Sequence, residues 1–323
     1  MKKAIKSLPR QLKFRPKIEN KDNLVLAKKF IVSGMGGSHL AADLIKIWDP
    51  SFDLVVHHDY GLPEVPGKLE DYLIIISSYS GNTEEAIDGL KVALSRKLPL
   101  VCVSTGGRLL DLAKKFKKPY IKIPHTGIEP RSALGFNLIS LLKLMNQERE
   151  LSEIKKIADN FSMDKLEKAG KELAQRLNNF IPVIYTSTKN APIGYNWKIR
   201  FNETGKVPSF FNTFPELNHN EMVGFEREKD TRELSSKFYF IFLKDQDDHP
   251  RIKTRMNISK DIYQKKDLPV EIINLKGRSI WKKIFSSLLL ADWAAFYTAK
   301  QYKLEPAETK VIASFKNILK LRK

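Results

Sequence analysis

Residues 72–86 have the sequence YLIIISSYSGNTEEA, and this stretch decides the fold. Its first part, Tyr72–Ser77, is almost entirely apolar, as expected of a parallel strand that is buried on both faces. A turn rich in hydroxyl groups follows, and Glu84–Arg96 then shows the spacing of apolar residues that is typical of a helix. The order of strand, polar turn and helix predicts one unit of a parallel α/β sheet.

The same alternation continues on both sides of this stretch. In the first half, the pattern predicts further strands at Lys29–Ser33, Leu54–His58, Leu100–Ser104 and Tyr120–Ile123, and further helices at Ser38–Trp48, Arg108–Lys114 and Gly135–Arg149. In the second half, it predicts strands at Ile181–Tyr185, Phe238–Leu243 and Val270–Asn274, and helices at residues 191–201, 280–301 and 307–319. We therefore expect an α/β protein with two lobes, residues 1–150 and 151–323, each a doubly wound, mainly parallel sheet flanked by helices.

Composition narrows the class of protein. A formal net charge of +19 arises from 56 basic and 37 acidic residues, but the basic residues are dispersed and no nucleic-acid-binding motif accompanies them, which favours a solvated basic surface over specific nucleic-acid binding. No apolar run approaches the roughly 20 residues of a membrane span, and the N-terminus lacks the pattern of a signal peptide. The single cysteine, Cys102, lies in an apolar run, so we expect a buried thiol and a cytoplasmic protein without disulfides.

Two polar turns at the ends of predicted strands indicate a phosphate site. SGMGGS, residues 33–38, follows one strand and opens a helix, so its glycines allow the backbone to approach an anion. SSYSGNT, residues 77–83, supplies hydroxyl groups at the end of another strand, where α/β sheets bind ligands. Helix capping by Ser80 or Thr83 is the ordinary alternative, but it explains one hydroxyl and not the cluster. A dinucleotide site is not predicted, because a third glycine and a ribose-binding acid are absent from the sequence.

These motifs resemble those of known proteins. SGMGGS together with SSYSGNTEEA is similar to the sugar isomerase (SIS) domain, a phosphosugar-binding fold. PRSALGF, residues 130–136, and FNETGKVPSFFNTFPELNHNEMVGFE, residues 201–226, resemble the bifunctional phosphoglucose/phosphomannose isomerases of archaea and some bacteria, and the similarity runs across nearly the whole chain. The resemblance implies two SIS-type lobes and a metal-free, cofactor-free aldose–ketose isomerase that interconverts glucose 6-phosphate, and mannose 6-phosphate, with fructose 6-phosphate. It also implies that the phosphate is held by Gly37, Ser38, Ser78, Ser80 and Thr83.

An aldose–ketose isomerase moves a proton between C1 and C2 through an enediol(ate), so it needs a base, a group that opens the sugar ring and a positive charge. By the resemblance, Glu203 transfers the proton, His219 opens the ring and Arg131 stabilises the enediolate oxygen. From the residues alone, a surface glutamate and a structural histidine are the favoured interpretations of Glu203 and His219, and a surface arginine at the start of a helix is the alternative for Arg131. The family supplies its histidine across a subunit interface, which implies a homodimer here.

The family also uses a lysine late in the chain. Lys300 lies at helical spacing behind Trp293 and Phe296, so we expect it to project from the apolar face of its helix and to contact the ring oxygen; Lys303 is the alternative. The pair His57-His58 invites a metal site, but adjacent strand residues point to opposite faces, so we predict no metal.

Two other functions compete with the isomerase. A non-catalytic SIS-domain regulator would bind a phosphosugar without turning it over, but such regulators often carry a helix-turn-helix motif, which this sequence lacks. An amidotransferase-type SIS enzyme would need an N-terminal cysteine nucleophile, whereas Cys102 lies in a predicted strand.

Overall fold

The computed structural model describes residues 1–321, which divide into two compact units. The N-terminal unit is Lys3–Phe161, and the C-terminal unit consists of Met1–Lys2 and the residues from Ser162 onward. The division therefore falls after Phe161, beyond the expected position 150. The reason is a helix at Glu148–Ile157, whose residue Ile154 is fully buried within the N-terminal unit.

The first part of the chain forms seven helices and six strands. The helices are α1 (Lys2–Lys6), α2 (Leu8–Leu12), α3 (Leu40–Trp48), α4 (Glu84–Ser95), α5 (Gly107–Lys115), α6 (Leu134–Leu144) and α7 (Glu148–Ile157). The strands are β1 (Ile18–Glu19), β2 (Lys29–Ser33), β3 (Leu54–His57), β4 (Tyr72–Ser77), β5 (Leu100–Ser104) and β6 (Tyr120–Lys122). They form one sheet in the order β1-β6-β5-β4-β2-β3, in which only the short edge strand β1 is antiparallel to its neighbour.

The C-terminal unit repeats this plan with fewer strands. Its helices are α8 (Met163–Arg176), α9 (Ala191–Arg200), α10 (Pro250–Lys265), α11 (Ile280–Gln301) and α12 (Lys310–Leu321), and its strands are β7 (Ile181–Ser187), β8 (Phe210–Phe214), β9 (Phe238–Asp245) and β10 (Val270–Leu275). All four strands are parallel, in the order β10-β9-β7-β8. The prediction of two α/β units with mainly parallel sheets is confirmed.

Continuous apolar runs place the central strands in the core. All six residues of β4 are buried, and Ile74, Ile75 and Ile76 are completely shielded from solvent. Cys102 on β5 is also fully buried, as expected, and burial raises the pKa of its thiol to about 12. The apolar strands thus form a rigid layer, and the polar residues are left to the turns at the strand ends.

Two local features differ from the expected pattern. The helical segment at Gly135–Arg149 is interrupted, because Asn146 adopts a left-handed backbone (φ 57°) between α6 and α7. Strand β8 had not been predicted, since its residues are only partly buried and include the polar Asn212 and Thr213. In residues 1–321, no helix is long and apolar enough to cross a membrane, and no cluster of three or more metal-ligating side chains occurs.

Candidate phosphate site and acid–base residues

The two polar turns of the N-terminal unit meet at one point of its sheet. Strand β2 lies between β3 on one side and β4 on the other, so the chain reverses its direction of winding there. Ligands of doubly wound sheets bind at such a switch point, outside the carboxyl ends of the strands. The turns that follow β2 and β4 touch directly, because a Cβ on Gly34 would lie 2.5 Å from the carbonyl oxygen of Ser77.

The hydroxyl groups of the two turns form a connected set. Ser78 Oγ and Thr83 Oγ1 lie 2.8 Å apart, and Ser38 Oγ accepts a hydrogen bond from the backbone N–H of Tyr79 at 3.1 Å. Thr83 occupies the N-cap position of α4, yet its side chain makes no capping hydrogen bond there. Ser80 is exposed and accepts only a local bond from the Asn82 N–H at 3.3 Å. The capping alternative therefore does not account for Thr83, whose hydroxyl lies within the cluster.

Arg131 lies beside this cluster. It is only 6% exposed and sits in the short 3₁₀ turn Pro130–Ser132. A Cβ on Gly37 would lie 2.7 Å from the carbonyl oxygen of Pro130 and 3.0 Å from the backbone nitrogen of Arg131, so the glycine turn packs directly on the arginine turn. The structure thus packs the turn that holds Gly37 and Ser38 against the turn of the buried Arg131.

Sequence reasoning overlooked Asn137. This residue is fully buried on the apolar helix α6, and its Nδ2 donates a 3.3 Å hydrogen bond to the carbonyl oxygen of Gly37. Its Oδ1 is buried without a hydrogen-bond partner among the described residues. Burying an amide in an apolar helix is costly, and the polar residue within the run LGFNLISLL was the available signal. Asn137 therefore fixes the peptide of the glycine turn.

Glu203 lies in the C-terminal unit, in a single π-helical turn, Phe201–Gly205, that follows α9. Such turns are rare and occur frequently at functional sites. Glu203 lines a cavity of about 490 Å³ together with Asn202, Lys206, Leu304, Glu305 and residues 308–312, which include the start of α12. Lys206 closes the turn, since its Nζ donates to the carbonyl oxygen of Glu203 at 2.6 Å.

The expectation for Lys300 was wrong in one respect. Its side chain is 48% exposed and does not project from the apolar face of α11. The residue lies in the last turn of the helix, where a long side chain carries its charge to solvent. Its Nζ lies 3.7 Å from Oε2 of Glu305, a lining residue of the Glu203 cavity, and 5.9 Å from the ring centre of Phe296. Lys303 is also exposed, in a left-handed turn with φ 57°.

His219 and Glu203 lie at opposite edges of the C-terminal sheet. Residues 201–209 are at the amino edge, because Ser209 Oγ donates a 2.8 Å hydrogen bond to the carbonyl of Pro182 at the start of β7. His219 is exposed and follows β8 at the carboxyl edge, where Thr188 Oγ1 donates to the carbonyl of Phe214 at 3.0 Å. The five residues of β8, about 3.3 Å each, put about 16 Å of strand between the two regions.

The switch point of the C-terminal sheet has different chemistry. Between the carboxyl ends of β7 and β9, the buried Lys283 donates to Asp245 at 2.6 Å and to Asp247 at 2.7 Å, and Asn190 donates to Asp248 at 3.2 Å. Burial alone would lower the pKa of Lys283, but its bonds to the two aspartates raise it overall. Burial raises the pKa of Asp248. The charged side chains at this edge bind one another, so the edge does not repeat the hydroxyl-lined turns of the N-terminal sheet.

Two parallel α/β sheets, with hydroxyl and glycine turns at the switch point of the first, define the class of SIS-domain phosphosugar isomerases. The fold agrees with that of solved structures of phosphosugar-related proteins, which by their low sequence identity show the fold alone. Glucosamine-6-phosphate deaminase from Thermotoga maritima, for example, matches with a TM-score of 0.68 at 13% identity, covering 94% of this chain and 95% of the other.

Sequence comparisons give the family. The model of the bacterial phosphoglucose isomerase C-terminal SIS domain matches residues 166–319. The chain is 34% identical over 302 residues to the bifunctional phosphoglucose/phosphomannose isomerase of Aquifex aeolicus, covering 91% of each chain. It is 33% identical over 309 residues to the enzyme of that name from Caldicellulosiruptor bescii, covering 90% of this chain and 89% of the relative. The chain belongs to the bifunctional phosphoglucose/phosphomannose isomerase family, as the sequence motifs predicted.

Proposed function

We propose that this protein interconverts glucose 6-phosphate and mannose 6-phosphate with fructose 6-phosphate. The observation that carries the proposal is that the turn at Gly37 packs on the turn of the buried Arg131 and, through Ser38, on the hydroxyl-bearing turn after β4, in a chain of this isomerase family. Membership of an enzyme family argues against the non-catalytic regulator. A cytoplasmic location forms part of the proposal, since the substrates are phosphorylated metabolites and the only cysteine is a buried free thiol.

The phosphate is held at the switch point of the N-terminal sheet. Ser38, Ser78, Ser80 and Thr83 offer hydroxyl groups, and the Gly37 turn and the start of α4 offer backbone N–H groups. Hydroxyl and N–H groups are neutral donors, so the dianion is bound through hydrogen bonds and not through a lysine.

Glu203 is the proposed proton-transfer base. Starting from fructose 6-phosphate, its carboxylate removes a proton from C1, the electron pair of the broken C–H bond forms the C1–C2 double bond, and the carbonyl oxygen at C2 becomes the enediolate oxygen. Return of the proton to C2, while the hydroxyl proton on the C1 oxygen moves to the C2 oxygen and the C1 oxygen becomes the carbonyl, gives the aldose; delivery to either face of C2 gives glucose or mannose stereochemistry. Electrons and atoms balance within the substrate, so no external oxidant or reductant is consumed. Arg131 stabilises the enediolate charge.

His219 is the proposed ring-opening group, which moves a proton between the ring oxygen and the anomeric hydroxyl. One chain places His219 and Glu203 at opposite edges of one sheet, and His219 is exposed. We therefore propose a homodimer in which each His219 serves the Glu203 of the other subunit. Lys300 remains the proposed ring-oxygen contact, because its neighbour Glu305 lines the Glu203 cavity.

The test compares wild type with Glu203→Gln in a coupled assay on fructose 6-phosphate. Removing a general base is expected to lower kcat by about 10²- to 10⁴-fold, while calorimetry shows unchanged binding of the sugar phosphate. Glu308→Gln is the matched control, since Glu308 lines the same cavity and has no proposed role in proton transfer. In D₂O, wild type should incorporate deuterium at C2 of the aldose product. Binding without turnover by wild type would favour the regulator instead.

A further inference from the structure

A further cavity lies at the carboxyl edge of the C-terminal sheet, where the neighbouring strands β9 and β10 end. We call it the lysine pocket, and its volume is about 490 Å³, which is ordinary for a small-molecule site. Ligands of parallel α/β sheets bind at this edge. The lysine pocket is distinct from the Glu203 cavity, because residues 201–209 lie at the amino edge of the same sheet.

Lysines and amides line the lysine pocket. In the described chain, its lining residues are Lys244, Gln246, Lys253, Asn274, Leu275, Lys276 and Gly277. None of these residues is acidic, and the leucine is buried, at 3% exposure. The three lysines are far apart in the sequence, so the fold creates the cluster and no basic run announces it. A concave surface lined by charge of one sign concentrates ions of the opposite sign.

The acidic residues next to these lysines in the sequence are bound elsewhere. Residues 244–247 read Lys-Asp-Gln-Asp, and successive residues of a strand point to opposite faces. Lys244 and Gln246 line the lysine pocket. Asp245 and Asp247 instead accept hydrogen bonds from Lys283, at 2.6 and 2.7 Å. Alternation along the chain therefore separates the lysines of the pocket from the nearest carboxylates.

Two of the lysines are held in place by neutral oxygen atoms. Lys244 Nζ donates to Oδ1 of Asn257 at 2.8 Å, and Lys253 Nζ donates to the carbonyl oxygen of Gln246 at 2.7 Å. Both lysines are partly buried, and within the described chain neither forms a salt bridge with a carboxylate. Since an ammonium group has three N–H donors, each retains donors for an anion in the pocket.

The third lysine comes from a closely packed turn. A Cβ on Gly277 would lie 2.4 Å from the backbone nitrogen of Lys283, so the loop after β10 packs against the start of α11 as only glycine allows. Lys276 comes immediately before this glycine and is exposed. The turn thus fixes the backbone from which Lys276 reaches the pocket.

We propose that the lysine pocket binds the diphosphate group of a small anion. A single phosphate carries about −1.5 to −2 at neutral pH, so it leaves part of the charge of three lysines uncompensated, whereas two linked phosphoryl groups balance it. The described lining offers no aromatic side chain on which a nucleobase could stack. The recognised group is therefore the diphosphate itself, free or as part of a larger molecule. This site is additional to the proposed isomerase site and does not depend on it.

Lysine footprinting tests the site in the unmodified protein. Wild type is acetylated briefly with and without pyrophosphate, and mass spectrometry measures the modification of each lysine. At a pyrophosphate concentration of ten times Kd, the acetylation of Lys253 and Lys276 should slow about tenfold, because about a tenth of the pockets remain free. Lys265 is the internal control, since it lies about 18 Å from Lys253 along α10. Equal protection of Lys265, or no protection of the pocket lysines, would overturn the proposal.

Calorimetry on variants measures the affinity. Lys276→Gln and Lys253→Gln each remove one charge from the pocket, and Lys265→Gln removes the same charge elsewhere on the surface. Loss of one charged hydrogen bond should raise the Kd for pyrophosphate about tenfold or more, and the control should stay within about twofold of wild type. The same increase in all three variants would indicate general attraction to a basic chain and would refute a specific site.

Other ligands identify the source of the diphosphate. Inorganic phosphate should bind at least about tenfold more weakly than pyrophosphate, and equal affinities would contradict the proposal. Binding of ADP as tightly as pyrophosphate would support a nucleotide as the source, and exclusion of ADP would support a free diphosphate. Saturating fructose 6-phosphate should leave the footprint on the pocket lysines unchanged, and its loss would refute a separate site. If wild type lacks isomerase turnover, the proposed function fails, and the footprint still decides the lysine pocket.

Discussion

Replacing Gly37 by alanine tests how the glycine turn packs on the arginine turn. The new Cβ would lie 2.7 Å from the carbonyl oxygen and 2.9 Å from the carbonyl carbon of Pro130, and 3.0 Å from the nitrogen of Arg131. Relief to an ordinary contact of 3.4 Å requires a shift of about 0.7 Å, and all three neighbours are backbone atoms that cannot rotate away. Overpacking of this kind costs about 1–3 kcal/mol.

This free-energy cost should appear as weaker binding at the proposed phosphate site, because the turn that must move also carries Ser38. Since about 1.4 kcal/mol is a factor of ten in affinity, phosphate binding should weaken roughly 5- to 150-fold. Inhibition by inorganic phosphate and the KM for fructose 6-phosphate measure the change, and thermal unfolding measures any global loss.

Gly106→Ala is the matched control for Gly37→Ala. Gly106 lies in another turn at the carboxyl edge of the same sheet, its backbone is extended (φ 167°), and a Cβ there would have no neighbour within 4 Å. We expect wild-type affinity and stability for this variant. Equal phosphate affinity of Gly37→Ala and wild type, within twofold, would refute the described packing of the two turns.

Three further predictions concern buried groups. Asn137→Leu should weaken phosphate binding about tenfold without lowering Tm, because it frees the Gly37 peptide while removing a costly buried amide; a fall in Tm with unchanged affinity would make Asn137 merely structural. Lys283→Met should cost about 3–5 kcal/mol in chemical unfolding, since it leaves Asp245 buried without its counter-ion, and an unchanged unfolding midpoint would contradict this. Cys102 should resist thiol reagents at pH 8 in the native protein and react after denaturation, because burial keeps its thiol protonated and inaccessible; fast native labelling would be inconsistent with the core.

Much of the fold follows from sequence pattern because the central strands are continuous apolar runs. The long helix α11 was predicted with its observed bounds, Ile280–Gln301, and the buried β4 was predicted from its apolar residues. Strand β8 was missed because FFNTF is a half-exposed edge strand, with Phe210 53% exposed. Edge strands bury one side and keep polar residues on the other, so their hydrophobic pattern is weak.

The candidate site could be predicted from the sequence where its residues are close together in the chain. The hydroxyl cluster of residues 77–83 lies in one turn, so its chemistry is visible in the sequence. The contact between Gly37 and Arg131 joins distant parts of the chain and depends on tertiary packing. The separation of Glu203 from His219 was missed for a related reason: the strand between them is β8, which was not predicted, and without that strand nothing in the sequence indicates that the two residues lie at opposite edges of a sheet. The exposure of Lys300 depends on what packs around the last turn of α11, which helical periodicity does not specify.

The ion network around Lys283 makes the two halves of the chain unequal in their capacity to bind an anion at the switch point. The protein has the same architecture twice, and both sheets have a switch point at which an anion would ordinarily be received. In the second half, an internal ammonium group at that position is already neutralised by carboxylates of the same unit. We therefore expect each polypeptide to bind one phosphorylated sugar, so that duplication of the fold does not double the number of such ligands bound.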